Sequence, residues 1–378
     1  MRFIYLDYNA TTPVAPSVVE AMTPFFSEHY SNPSSNHALG RACQEAIEDA
    51  RGKVAALLGA DRDEVVFTSG GTESNNLALK GVMMRDAPSS DGHLIISAIE
   101  HPAIIQPARF LERLGYDVTV VGCDSQGVVD VSRVEAAIRP DTRLVSIMHA
   151  NNETGAIQPI GEVADVCHAR NVLLHTDAAQ SVGKITTFAD ELGVDLLSVA
   201  GHKFYAPKGV GALYVRRSLQ LESVLHGAGH EGGLRAGTEN TPAIVALGHA
   251  AMLALKGQGE ASERLATLRD QLYSRLSQVT GERMTVNSRL AHRLPNTLSV
   301  NFLDVSAADL LTRIPDLCAS TGSACHSGAT GMSPTLDAMG ITPEEARGTV
   351  RLSVGWFTSE EDIERAAELL IGAWEDLT

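Results

Sequence analysis

The sequence predicts an α/β protein with a large domain on a mainly parallel sheet and a smaller α+β C-terminal domain. Three observations lead there. From residue 64 to about 215, short apolar runs alternate with amphipathic segments, the pattern of strands covered by helices on both faces. After residue 260 the alternation gives way to one long amphipathic segment, separated strands and a terminal helix. The chain has 378 residues, more than one hydrophobic core ordinarily serves. The expected division is 15–256 for the large domain and 257–378, joined by residues 1–14, for the small one.

In chain order, Met1 to Asp7 reads as a strand and not as a leader peptide. Residues 64–68 read as a strand, 73–83 as a helix, 94–97 as a strand, 102–114 as a helix and 117–121 as a strand. A helix is expected over 131–138, a strand over 144–148 and a helix over 160–170. Three more strands follow at 172–175, 196–199 and 211–215. Leu255-Lys256-Gly257-Gln258-Gly259-Glu260 reads as a hinge, with a helix from about 261 to 279 beyond it. Strands at 297–302 and 350–354 and a helix at 359–376 complete the small domain. The Gly/Ser-rich stretch 323–335 breaks both periodicities and reads as a loop.

Composition narrows the function classes. Apolar residues make up 44% and charged residues 20%, as in ordinary soluble proteins. A net charge of −16 argues against nucleic acid or an anionic membrane as the main partner. No apolar stretch approaches the roughly 18 residues of a membrane span. The five cysteines are widely spaced with no C-x-x-C pair, which indicates neither a metal site nor a disulfide framework and fits a reducing cytoplasm.

Lys203 carries the first chemical signal. It follows the apolar run 194–199 in Gly201-His202-Lys203, and the preceding strand ends at Asp177. An acid at one strand end and a lysine after the next is the layout of a pyridoxal phosphate (PLP) site: the lysine forms a Schiff base with the aldehyde, and the acid keeps the pyridine nitrogen protonated. Asp177 and Gln180 also stand at capping-box spacing, so a helix cap competes for that pair. Ser69-Gly70-Gly71-Thr72 follows a strand and opens a helix, which suits a phosphate; the competing reading is a cap by Ser69 or Thr72. His101 lies at a strand-to-helix turn, at the sheet end where ligands gather. Asn152 follows another strand end, in a segment that also reads as an Asx turn. Arg351 sits in an apolar strand and needs an anion, either a substrate carboxylate or a structural partner. Cys325, in Gly322-Ser323-Ala324-Cys325-His326-Ser327, lies in a small-residue loop where a thiolate would be accessible; an inert loop cysteine is the alternative. Cys43, Cys123 and Cys167 fall in or beside regular elements and read as core residues.

Together these segments resemble the cysteine desulfurases (NifS/IscS-like, fold-type I PLP enzymes of the class V aminotransferase group). The resemblance covers essentially the whole chain. It runs through Leu6-Asp7-Tyr8-Asn9-Ala10-Thr11-Thr12, Ser31-Asn32-Pro33, Ser69-Gly70-Gly71-Thr72-Glu73, Glu100-His101, Asn151-Asn152-Glu153, Asp177-Ala178-Ala179-Gln180, Gly201-His202-Lys203, Arg235-Ala236-Gly237-Thr238, Ser323-Ala324-Cys325 and Arg351-Leu352-Ser353. It implies a fold-type I PLP-dependent transferase that takes sulfur from L-cysteine, leaves L-alanine and passes the sulfur to an acceptor protein, an iron–sulfur scaffold among the options. By the same resemblance Lys203 would carry PLP, and Gly71, Thr72 and His202 would hold its phosphate. Thr238 would reach the phosphate of a neighbouring subunit, making the active unit a homodimer. Asp177 would face the pyridinium, Gln180 the ring hydroxyl, and His101 would stack on the ring and shuttle protons. Asn152 would touch cofactor and substrate, Arg351 would bind the substrate carboxylate, and Cys325 would accept the sulfur as a persulfide. Relatives often have serine where this chain has Ala200, so one phosphate donor is missing. Selenocysteine lyases resemble this family closely and stay open as an alternative; an aminotransferase has no need of Cys325, and a silent sulfur-transfer scaffold has no need of Lys203.

Overall fold

The structure is a computed structural model that describes residues 3–85, 91–322 and 332–378. The N-terminal part contains strand β1 (Ile4–Tyr5), helices α1 (Pro16–Met22) and α2 (Ala38–Leu58). The alternating region follows: β2 (Val65–Thr68), α3 (Gly71–Met83), β3 (His93–Ser97), α4 (Pro102–Arg113), β4 (Asp117–Val121), α5 (Val131–Ala137), β5 (Thr142–Ser146), α6 (Ile160–Ala169), β6 (Leu173–Asp177), α7 (Ala189–Leu192), β7 (Leu196–Ala200) and β8 (Gly211–Val215). The C-terminal part holds α8 (Thr241–Thr280), β9 (Met284–Val286), β10 (Thr297–Phe302), α9 (Ala307–Thr312), β11 (Leu317–Cys318), β12 (Ser320–Thr321), α10 (Pro334–Ala338), α11 (Pro343–Arg347), β13 (Thr349–Ser353) and α12 (Glu360–Glu375).

Among the described residues, seven strands form one sheet in the order β2-β8-β7-β6-β5-β3-β4. Strands β7, β6, β5, β3 and β4 run parallel, and only β8 is antiparallel to its neighbours β2 and β7. Every residue of β3, β7 and β8 is buried, as strands covered on both faces require; the edge strand β4 is largely open. Strands β12-β13-β10-β9 form a second, antiparallel sheet. One hydrophobic core lies on the large sheet around Ile47, Val145, Leu197 and Leu247, and another joins Leu268, Leu276, Val300, Leu352 and Leu370. No helix among the described residues is long and apolar enough to cross a membrane.

The expected hinge at 255–260 is not a break. Helix α8 runs through it without interruption from Thr241 to Thr280. Two glycines in a helix cost about 1 kcal/mol each. Both flanks outweigh this: Ile244, Leu247, Ala250 and Ala254 pack into the first core, and Leu265, Leu268, Leu272 and Leu276 into the second. A second correction concerns the loop expected over 323–335. Ser333 caps α10 by accepting from Thr335 N–H, so the stretch ends in helix because Ser-Pro is a good helix start. Residues 323–331, and Cys325 with them, lie outside the described residues.

Candidate active site

The C-terminal ends of β5, β6 and β7 open onto a cavity of about 420 Å³, closed at one side by the start of α3 and at another by Asn9 and Ala10. That volume falls within the usual range of small-molecule sites, roughly 300–1,000 Å³. Gly71, Thr72, His101, Asn152, Asp177, Gln180, His202, Lys203 and Arg351 all line it. Thr238 does not; it lines a separate pocket with Arg235 and Glu239.

Lys203 follows β7 in a single 3₁₀ turn, Gly201–Lys203. Its Nζ donates to the carbonyls of Asn9 (2.6 Å) and Ala10 (2.9 Å), and no carboxylate lies within ion-pair distance among the described residues. Burial, reinforced by Arg351, pulls its pKa down to about 8 against the opposing Asp177 and Asp7 charges. About a tenth of the amine is therefore neutral at pH 7, several hundredfold more than for an ordinary lysine, and a nucleophilic lysine reacts in that form. The neighbouring His202 is lowered to about 4 by burial and by Lys203, so its ring is neutral. Its Nδ1 lies 3.1 Å from Thr11 Oγ1.

Asp177 ends β6 one strand away, paired in register with Ser198. No helix starts at Asp177, so the capping box does not form: Gln180 donates instead to Asn9 O (2.9 Å). The Asp177 carboxylate accepts from Ala179 N–H (2.9 Å) and from Asn75 Nδ2 (2.7 Å), and this fixes its orientation at the cavity. Asn75 was not singled out from sequence. It lies within α3 with no local signal, and only the approach of α3 to β6 brings it to the carboxylate.

Helix α3 starts after Gly70, whose φ of 145° a side chain would oppose, and it has no side-chain cap. Ser69 and Thr72 therefore leave the first N–H groups free for an anion. Glu73 turns away from the cavity, accepting from Ser69 N–H (2.9 Å) and pairing with Arg235 (2.9 Å). A Cβ on Gly71 would stand 3.2 Å from that of Ala200, so two small residues keep this corner open.

His101 is the N-cap of α4, and its Nδ1 accepts from Ala103 N–H (3.1 Å). Burial lowers its pKa, with Lys203 adding and Asp177 opposing. The neutral ring thus carries its proton on Nε2. Beside it Glu100 is fully enclosed, accepting from Ser97 Oγ (2.6 Å) and Met148 N–H (2.8 Å), and burial raises its pKa to about 8.

The Asx turn expected after β5 belongs to Asn151, whose Oδ1 accepts from Glu153 and Thr154 N–H; Asn152 is left at the cavity. Arg351 has the structural partner that is one of its two expected roles. Its Nη2 meets Asp7 (2.7 Å) and Ser320 Oγ (2.9 Å), its Nη1 donates to Asn152 O (3.0 Å), and its Nε is buried without a partner among the described residues.

These residues fit PLP. The cavity presents a reactive amine, an uncapped helix start for a phosphate, a carboxylate for a ring nitrogen, and an arginine with an unused donor. The chain's relatives agree. Residues 4–366 match the family model for aminotransferase class-V. The chain is 44% identical to cysteine desulfurase IscS of Dictyoglomus turgidum, over 98% of its own length and 94% of that protein's. It superposes on a NifS-like protein with a TM-score of 0.91 at 37% identity, covering 99% of both chains. SspA, solved in complex with cysteine, gives 0.82 at 39% identity over 93% of this chain and 98% of that one. The chain belongs to the aminotransferase class-V family and, within it, to the cysteine desulfurases.

Proposed function

We propose that this PLP-dependent cysteine desulfurase converts L-cysteine to L-alanine and transfers the sulfur to Cys325, from which an acceptor protein takes it for iron–sulfur cluster assembly or another thiolation. The observation that carries the reading is the convergence of Lys203, Asp177, His101, Asn152 and Arg351 on one cavity. Ser320, five positions before Cys325, bonds to Arg351, which lines the cavity, and this supports the role given to Cys325.

PLP bound through Lys203 supplies an electron sink for the carbon next to the amino nitrogen. The protein's own groups do the rest. Gly71, Thr72 and His202 hold the phosphate, and Asp177 holds the ring nitrogen in its protonated form. Arg351 and Asn152 receive the substrate carboxylate. Lys203, lowered to about 8, takes the proton from Cα and returns protons to the carbon skeleton. His101 offers Nε2–H toward the reacting groups. The Cys325 thiolate attacks the cysteine sulfur: the Cβ–S bond breaks, an S–S bond forms, and the electron pair left on Cβ is protonated to give the methyl group of alanine.

Thr238 stands off the cavity of its own chain, which supports a homodimer in which it serves the neighbouring phosphate. Cys43, Cys123, Cys167 and Cys318 are all free thiols, which suits the reducing cytoplasm where we place the activity. The test is Cys325→Ser. It should retain the cofactor and its spectral response to L-cysteine yet form no protein persulfide; full sulfide turnover would exclude the assigned role.

A further inference from the structure

Lys184 has no part in the chemistry above, yet it is buried beneath the cavity with 8% of its surface exposed. No carboxylate lies within ion-pair distance of it among the described residues. Its ammonium donates to the backbone carbonyl of Gln180 (2.8 Å) and to Gln180 Oε1 (3.3 Å). Burying an unpaired lysine is costly, and Met would fill the same space without that cost. The residue is there for what its donors do.

What they do follows from the donor and acceptor inventory. An ammonium only donates, so the side-chain atom of Gln180 facing Lys184 must be the oxygen. On the other side Gln180 Nε2 faces the carbonyl of Asn9 (2.9 Å), which only accepts and which also receives Lys203 Nζ. Both neighbours demand the same amide orientation. Gln180 therefore presents N–H, and not its oxygen, to the cavity that it lines.

We propose that Lys184 is a positioning residue: it fixes the Gln180 amide so that an N–H donor faces the cofactor's oxygen-bearing ring edge beside Lys203. This rests on the PLP site assigned above. Without Lys184 only the Asn9 carbonyl holds the amide, and its oxygen turns more readily toward that edge, where two acceptors would repel. Burial, with Lys203 and Arg351, lowers the Lys184 pKa to about 7. The neutral amine keeps two N–H donors but gains a lone pair, so the amide is fixed most strictly by the ammonium.

The experiment is a double-mutant cycle on PLP affinity, read by titrating cofactor-stripped protein at one fixed pH. Lys184→Met should bind PLP about five- to tenfold more weakly, the loss of one well-placed hydrogen bond. Gln180→Ala should lose a similar factor, and the double variant should be no weaker than Gln180→Ala alone. If Lys184→Met weakens binding by the same factor when Gln180→Ala is already present, Lys184 acts on the fold at large and the proposal is overturned. An affinity within twofold of wild type overturns it as well. Should Lys184→Met fail to fold, Lys184→Leu, which also removes the donor, decides in the same cycle by the same criterion. Wild-type protein that binds no PLP would remove the site assignment itself; normal wild-type binding with an indifferent Lys184 variant removes only this proposal.

Discussion

Glu231 offers the sharpest prediction about stability. Its side chain is 3% exposed and forms a two-pronged pair with Arg51, at 2.7 and 2.8 Å, while Oε2 also accepts from Phe67 N–H (2.8 Å). Phe67 lies in β2, an edge of the large sheet, so the carboxylate satisfies an N–H that has no strand beside it. Arg51 also donates to Val65 O (2.8 Å) in the same strand. The pair thus clamps the loop carrying Arg235 and Thr238 onto the strand that leads to Gly70. Removing one member of a buried pair costs about 3–5 kcal/mol. Arg51 keeps Glu48 and Val65 O, which places Glu231→Ala near the lower end, about 3 kcal/mol. Glu231 has a φ of 50°, and alanine inherits that strain, so the backbone contribution cancels in the comparison. For a chain of 378 residues, with an unfolding entropy of roughly 0.8 kcal/mol/K, the loss corresponds to a fall in Tm of about 4 °C. Calorimetry and urea unfolding of Glu231→Ala, Arg51→Met and the double variant Arg51→Met/Glu231→Leu supply the assay. The double variant should recover most of the loss, because no charge is left stranded. A single-variant loss below about 1 kcal/mol, or a double variant that loses the sum of the singles, would refute the argument.

Three further outcomes follow from the site. Schiff-base formation between the cofactor-free protein and PLP should accelerate with a midpoint near pH 8, where Lys203 loses its proton, and not near the 10.5 of an ordinary lysine; a stopped-flow pH series reads it. Glu100 keeps its proton in the folded state up to about pH 8 but sheds it near 4.5 when unfolded, so between those values the folded state binds more protons and stability falls as pH rises. Glu100→Gln, which retains the oxygen facing Ser97 and Met148 N–H, should therefore gain on wild type by up to about 1.4 kcal/mol per pH unit across that window in urea unfolding. Ala200→Ser adds a hydroxyl at the corner next to Gly71 and should tighten PLP retention about fivefold, measured by dialysis or titration.

The alternation of strands and helices was legible because strands buried on both faces need unbroken apolar runs, and β7 and β8 are wholly buried. Lys203 and Asp177 were legible together because Asp177 ends β6 and Lys203 follows the end of β7, its parallel neighbour. The continuity of α8 was not, since Gly257 and Gly259 read as a break and only burial on both flanks holds the helix through them. Nor was the part played by Asn9, whose carbonyl meets Lys203 across 194 positions in the chain, or the pairing of Arg351 with Asp7 across 344. Lys184 is the extreme case. In the sequence it resembles any surface lysine, and its meaning comes only from the turn after β6 that buries it against Gln180.

The most direct test of the account is the absorbance spectrum of the purified protein, followed by addition of L-cysteine with a thiol reductant and assay of alanine and sulfide. Wild type should show the visible band of a lysine-bound PLP, lose it in Lys203→Ala, and form alanine and sulfide in equal amounts. A PLP-supplemented wild type without that band, or with a band indifferent to Lys203→Ala, would contradict the site built on Lys203.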